Sequence, residues 1–179
     1  MRVITGSARG RRLKALDGLD VRPTTDKVKE SLFSALQFDL EGRRVLDLFA
    51  GSGQLGIEAL SRGADSAVFV DKSKASIAVV RDNLSATRLA ENARVMQTDA
   101  LTFLKTTAQQ FDVAFLDPPY GTGLLQQALA VLPSVMSEYG LIACEHPVDE
   151  AVPDAVGPFA VYRRYRFGKI AVTVYRKGE

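Results

Sequence analysis

The sequence is poor in the groups on which many activities depend. Its 179 residues include one cysteine, Cys144, and one histidine, His146. A single thiol excludes an internal disulfide, and its setting in the apolar run GLIAC reads as a buried strand residue rather than a nucleophile. His146 stands two residues later, ahead of Pro147, and reads as structural; no metal cluster is present, so no metal is expected. No stretch reaches the roughly 18 apolar residues of a membrane span, which argues against a membrane protein. The start, MRVITGSARGRR, lacks the apolar segment of a signal peptide. Internal repeats, low-complexity tracts and long linkers are missing too. What remains is one domain over 1–179, with a basic extension at 1–20 ahead of a core at 21–179, in a reducing cytoplasm.

The net charge is only +2, but it is unevenly spread. Residues 1–14 carry Arg2, Arg9, Arg11, Arg12 and Lys14 with no acidic residue, and a second basic segment, YRRYRFGK, occupies 162–169. Either alone reads as a solvated face. Two of them interleaved with aromatics point to a polyanion, since Arg and Lys hold phosphates while exposed bases stack on rings. Arg9, Arg11 and Arg12 are the candidate nucleic-acid contacts.

Along the chain, MRVITGSARGRRLKAL reads as two short strands around a turn, a basic β-hairpin. A helix is expected in TTDKVKESLFSALQF, capped by Thr24 or Thr25, with Val28, Leu32, Phe33 and Leu36 on its apolar face. Apolar runs then end in Asp, Glu or Gly at 43–51, 66–71, 93–99, 111–117 and 139–145. Helical stretches separate them: QLGIEALSRG, SKASIAVVRDNLSATRLAE, ALTFLKTTAQQ and LLQQALAVLPSVMSE. Strands alternating with helices imply an α/β fold, a doubly wound sheet covered on both faces. AVYRRYRFGKIAVTVYRK leaves no room for a crossover helix and should be an antiparallel hairpin turning at Gly168 and Lys169.

LDLFAGSGQLGIEAL places Gly51, Gly53 and Gly56 between a strand and a helix, the pattern of a dinucleotide-binding turn. Asp71 follows Gly51 by 20 residues at the end of the next strand, where a carboxylate can accept from both hydroxyls of a ribose. Together they indicate an adenosine-containing cofactor without saying which. Asp47 discriminates. An acid four residues before Gly51 would repel a pyrophosphate and attract an ammonium or sulfonium, and S-adenosylmethionine carries both. Asp99, at the end of the third strand, can accept from an adenine amino group or cap the helix that follows.

LDPPYG, residues 116–121, ends the fourth apolar run with a carboxylate, two rigid residues and a ring. The exocyclic amine of a nucleobase is a poor nucleophile because its lone pair is delocalised. Asp117 and the carbonyl of Pro118 can each accept one N–H and so direct that lone pair, Pro118 and Pro119 can fix the carbonyl's direction, and Tyr120 can stack on the base. Methyl transfer from sulfonium to nitrogen would then owe most of its acceleration to positioning.

RVITGSARGRRL, VRPTTDKVKESLF, VLDLFAGSGQLGIEALSRGA and FLDPPYG, in this order, resemble the bacterial RsmD family of small-subunit (16S) ribosomal RNA guanine-(2-amino) methyltransferases. The resemblance spans nearly the whole chain. It implies a class I methyltransferase fold, a Rossmann-like sheet of seven strands with the last strand antiparallel, and S-adenosylmethionine as cofactor. It also implies residue roles: Asp47, Gly51 and Gly53 at the methionine end, Asp71 at the ribose, Asp99 at the adenine, and Asp117, Pro118 and Tyr120 around the target guanine. Arg22, in RPTT, would lie near the mouth of the site, and Pro119 on its substrate side. The partner implied is ribosomal RNA within an assembled or partly assembled small subunit.

Three other readings compete. An adenine or cytosine amino-methyltransferase of DNA or another RNA shares DPPY, but reading several base pairs usually needs an extra recognition region, for which this chain has little to spare. A nicotinamide-dependent oxidoreductase shares the glycine pattern and leaves Asp47 and DPPY unexplained. A noncatalytic RNA-binding protein on the same scaffold would not need DPPY intact.

Overall fold

The computed structural model describes residues 1–17 and 25–177. Five apolar runs form parallel strands: β1 (Arg44–Leu48), β2 (Ser66–Asp71), β3 (Ala93–Gln97), β4 (Phe111–Leu116) and β5 (Met136–Pro147). Helices α2 (Gln54–Ser61), α3 (Lys74–Thr87), α4 (Ala100–Thr106) and α5 (Leu124–Val131) connect them, and α1 (Asp26–Ala35) precedes β1. The chain closes with β6 (Ala155–Val156), β7 (Phe159–Phe167) and β8 (Ile170–Lys177). The spatial order is β3-β2-β1-β4-β5-β8-β7-β6. β1 through β5 pair in parallel, while β8 runs antiparallel to both β5 and β7. The sequence therefore reverses its winding between β1 and β4, which opens a crevice at the carboxyl ends of these strands.

The sheet separates two cores. One, under α1, α2 and α3, includes Phe33, Ile57, Phe69 and Phe115; the other, under α4 and α5, includes Leu46, Phe103, Leu116 and Leu129. Alternate residues of each strand supply the two sides, as a doubly covered parallel sheet requires. Phe33 meets Phe115 with ring centroids 5.4 Å apart, and each such buried side chain stabilises the fold by about 1.5–3 kcal/mol.

Four expectations need adjustment. The sheet has eight strands rather than seven, the addition being the two-residue β6 on the outer edge of β7. The amino-terminal hairpin closes on a single bridge, Arg2 with Arg12, instead of two strands, because much of its backbone bonds to α2 and α3. The helix expected over 124–138 ends at Val131, and a short 3-10 turn containing Pro133 leads into β5, which starts at Met136. α3 stops at Thr87, where Arg88 takes a left-handed conformation, φ 60°. The α1 cap is Thr25, whose side chain accepts from the Val28 N–H. Arg22 and Thr24 lie outside the described residues.

The amino-terminal arm is held by buried charge. Glu58, fully buried on α2, accepts from the backbone N–H of Ile4 at 2.8 Å and of Thr5 at 3.1 Å, and pairs with Arg62 at 3.0 Å. Lys29 of α1, equally buried, donates to the carbonyl of Arg2 at 2.6 Å and lies 3.7 Å from Glu58. A carboxylate taken out of water persists only with this density of donors.

Candidate active site

The end of β1 turns sharply into α2. Gly53 is the N-cap of α2 at φ 81°, a left-handed conformation that glycine adopts without penalty. Gly56 is required by space: a Cβ there would lie 2.4 Å from the Phe69 ring and 3.2 Å from Cβ of Asp47. That close approach brings the Gly56 N–H to Oδ2 of Asp47 at 2.9 Å. Asp47 is 2% exposed, and burial pushes its carboxyl up to about 8, the Gly56 N–H pulling against this and the nearby charge of Asp71 adding to it.

Asp71, the last residue of β2, accepts from the Gly51 N–H through Oδ2 and from the Ser73 N–H through Oδ1, both at 2.9 Å. These two bonds fix the carboxylate and leave further lone pairs for two hydroxyl donors. Asp99 caps α4, accepting from the Thr102 N–H at 3.1 Å, and keeps an exposed side chain. Asp117 follows directly on Leu116 of β4 and Pro118 is buried behind it, with Pro119 exposed and Tyr120 half-buried. The Pro119 carbonyl accepts from the Thr122 hydroxyl at 2.9 Å, which closes the corner.

These residues share one cleft of about 750 Å³, within the ordinary range for a small-molecule site. Asp47, Gly51, Asp71, Asp99, Asp117, Pro118, Pro119 and Tyr120 all line it. Gly53 does not; its place is beneath the turn. Arg9, Arg11 and Arg12 are exposed and also lie off the cleft, Arg11 reaching the carbonyl of Ala86 near the carboxyl end of α3. α3 starts beside the cleft, so this contact is roughly 18 Å along the helix from it. His146 is buried with one ring nitrogen 2.8 Å from the Pro147 carbonyl and the other 2.8 Å from the Thr173 hydroxyl, as expected of a structural histidine. Among the described residues no group of His, Cys, Asp or Glu is arranged to hold a metal ion.

Several lining residues escaped the sequence reading. Phe49 stands between Asp47 and Gly51 at φ 64°, a strained backbone for a bulky side chain, and presents its ring to the cleft. An aromatic residue inside a glycine-rich turn was the available signal. Met1 and Leu16 reach the cleft from the amino-terminal arm, and among the described residues Lys72 is the one basic side chain on its lining. Four acidic side chains against one lysine, Asp47 among them able to ionise when a cation binds, make the described lining a site for cationic groups and a poor one for a pyrophosphate.

The family described as Conserved hypothetical protein 95 matches residues 1–176. Ribosomal RNA small subunit methyltransferase D of Escherichia coli (strain K12) is 36% identical over 99% of this chain and 90% of its own. The chain belongs to this RsmD family. YlbH of Bacillus subtilis (strain 168) is 43% identical over 99% of both chains. Among solved structures, yhhF of Escherichia coli superposes with a TM-score of 0.89 at 36% identity, covering 99% of this chain and 97% of that one. The T. thermophilus 16S rRNA N2 G1207 methyltransferase RsmC, solved with AdoMet and guanosine, gives 0.70 at 23% identity, covering 87% and 44%; that likeness is one of fold. The class I methyltransferase architecture expected from the motifs is the one observed.

Proposed function

We propose that the protein transfers a methyl group from S-adenosylmethionine to the exocyclic 2-amino group of a guanine in 16S ribosomal RNA, working on the small subunit in the cytoplasm. The observation that carries this reading is the single cleft onto which both the glycine turn and the DPPY corner open, walled by four carboxylates. When bound, S-adenosylmethionine supplies a methyl group made electrophilic by its sulfonium. Asp47 and the backbone at Gly51 would hold the methionine end, with Gly53 shaping the turn from beneath, Asp71 would hold the ribose hydroxyls and Asp99 the adenine. At the other end, Asp117 and the Pro118 carbonyl each accept one N–H of the target amine, aligning its lone pair with the bound methyl. Asp117 also takes up the proton that the amine sheds, so the product nitrogen is neutral. Tyr120 stacks on the base and Pro119 borders the entry.

A guanine must leave its stack to reach this corner, which suits an enzyme acting on a preformed RNA-protein surface. Arg9, Arg11 and Arg12 contact phosphates on the remote flank of that surface. A nicotinamide dinucleotide is disfavoured because its pyrophosphate would face Asp47, and the intact corner argues against a purely RNA-binding role.

The test is incubation with labelled cofactor and naked 16S RNA, small subunits assembled from unmodified RNA, or DNA, followed by nucleoside analysis. N2-methylguanosine in the RNA or subunits is expected. Label confined to DNA, or to adenine or cytosine, would overturn the assignment.

A further inference from the structure

The second basic segment has no role so far, and the strand register places it. Leu116 of β4 pairs with Cys144 of β5, Cys144 with Thr173 of β8, and Thr173 with Arg164 of β7. Two residues further along, His146 pairs with Ala171 and Ala171 with Arg166. Arg166 is therefore level with Pro118, three strand spacings away, roughly 14 Å. β7 runs parallel to β4, so its last residues and the turn through Gly168 and Lys169 stand on the same carboxyl edge as the DPPY corner.

The face agrees as well as the edge. Leu116, Ile142 and Cys144 belong to the core under α4 and α5, and the His146 ring bonds the Thr173 hydroxyl. Residues paired across strands share a face, so Arg164 and Arg166 lie on that same side, to which the 117–123 loop leads through α5. Arg164 is engaged by Asp154 at 2.9 Å. Arg166 and Lys169 are exposed and join no ion pair among the described residues; Arg166 donates only to the Gly168 carbonyl. Of the acids on the neighbouring loop, Glu150 accepts from Gln126 and Asp149 faces solvent. An edge strand often carries charges merely to deter pairing with other chains. That role explains arginines anywhere along β7 but gives no reason for two free cations at the end level with the catalytic corner.

We propose that the β7–β8 turn, through Arg166 and Lys169, binds the phosphate backbone of the RNA strand that carries the target guanine, holding it as it passes from the DPPY corner across the ends of β5 and β8. The inference rests on the proposed function only in taking RNA as the substrate. It differs from the Arg9–Arg12 contacts in lying on the cleft's own edge.

The experiment compares wild type with Arg166→Glu/Lys169→Glu. Binding of a fluorescein-labelled single-stranded fragment of unmodified 16S RNA, chosen around the guanine that nucleoside mapping finds methylated, is followed by anisotropy across salt concentrations without cofactor, and methylation of assembled subunits is measured in parallel. Two lost phosphate contacts should weaken RNA binding about tenfold or more and lower the salt slope by roughly 1.4. The loss in methylation should fall on KM, cofactor affinity should persist, and Arg166→Lys/Lys169→Arg should restore binding. An unchanged RNA affinity and salt slope overturns the proposal, as does wild type failing to bind RNA. If wild type binds RNA but methylates none, the proposed function fails while the anisotropy comparison still decides this one. Should the double reversal misfold, Arg166→Ala/Lys169→Ala carries the same test.

Discussion

The backbone N–H of Gly56 meets Oδ2 of Asp47 at 2.9 Å, tying the first turn of α2 to the buried carboxyl at the end of β1. The contact exists because residue 56 has no side chain. In Gly56→Ala the new methyl would press on the Phe69 ring and on Asp47, an overpacking that costs about 1–3 kcal/mol. Thermal unfolding should show that loss, and calorimetry should show weaker cofactor binding.

Asp47 also makes the site sensitive to pH. Its folded value of about 8 lies above that of an exposed carboxyl, so the native state holds a proton that the unfolded chain releases first. Its contribution to stability is present in acid and is lost as pH rises from about 4 through 8. A bound cation reverses the preference, since it favours the ionised carboxylate. Cofactor binding at pH 7 should therefore release a proton, visible as a dependence of the binding enthalpy on buffer ionisation. Affinity should rise toward pH 8, and Asp47→Asn should remove the proton release and weaken binding.

Glu58 is expected to govern the amino-terminal arm. Glu58→Ala strips acceptors from the Ile4 and Thr5 N–H groups and leaves Lys29 buried without its counter-charge, a change of about 3–5 kcal/mol. Denaturant unfolding should report the destabilisation. Hydrogen exchange should accelerate at Ile4 and Thr5 before it does in the sheet.

Phe49 combines backbone strain with an apolar ring at the cleft. Phe49→Ala loses the packing and keeps the strain, whereas Phe49→Gly loses the packing and relieves about 1 kcal/mol of it. Glycine should therefore be the more stable of the two variants in chemical denaturation, with both impaired in turnover.

How much of this was legible depended on whether the signal was local. In SAVFVD and FLDPPY a run of strand-forming residues stops at an acid, in VLDLFAG an acid sits one residue before the strand ends, and in a parallel sheet those ends fall on one edge. Asp47, Asp71 and Asp117 could therefore be assigned to one site from sequence alone. Glu58 could not be read as buried, because its partners at Ile4 and Thr5 lie more than 50 residues away and QLGIEAL looks like any helix. Met1 and Leu16 reach the cleft through the same long-range docking. Arg9, Arg11 and Arg12 were visible as charge, but their distance from the cleft follows from how the arm packs along α3. Phe49 showed only as an aromatic inside a glycine-rich turn, since a positive φ leaves no mark on a phenylalanine. The start of β5 was misjudged because the 3-10 turn at Pro133 shortens the helix before it.

The proposed chemistry requires Asp117 to act on the target amine rather than on the cofactor. The direct measurement is Asp117→Ala, assayed for methyl transfer to unmodified small subunits and for S-adenosylmethionine binding by calorimetry. Transfer should fall at least about a hundredfold, the usual scale for removing a positioned acid-base group, with cofactor affinity close to that of wild type. Retained transfer, or cofactor affinity lost along with it, would contradict the account.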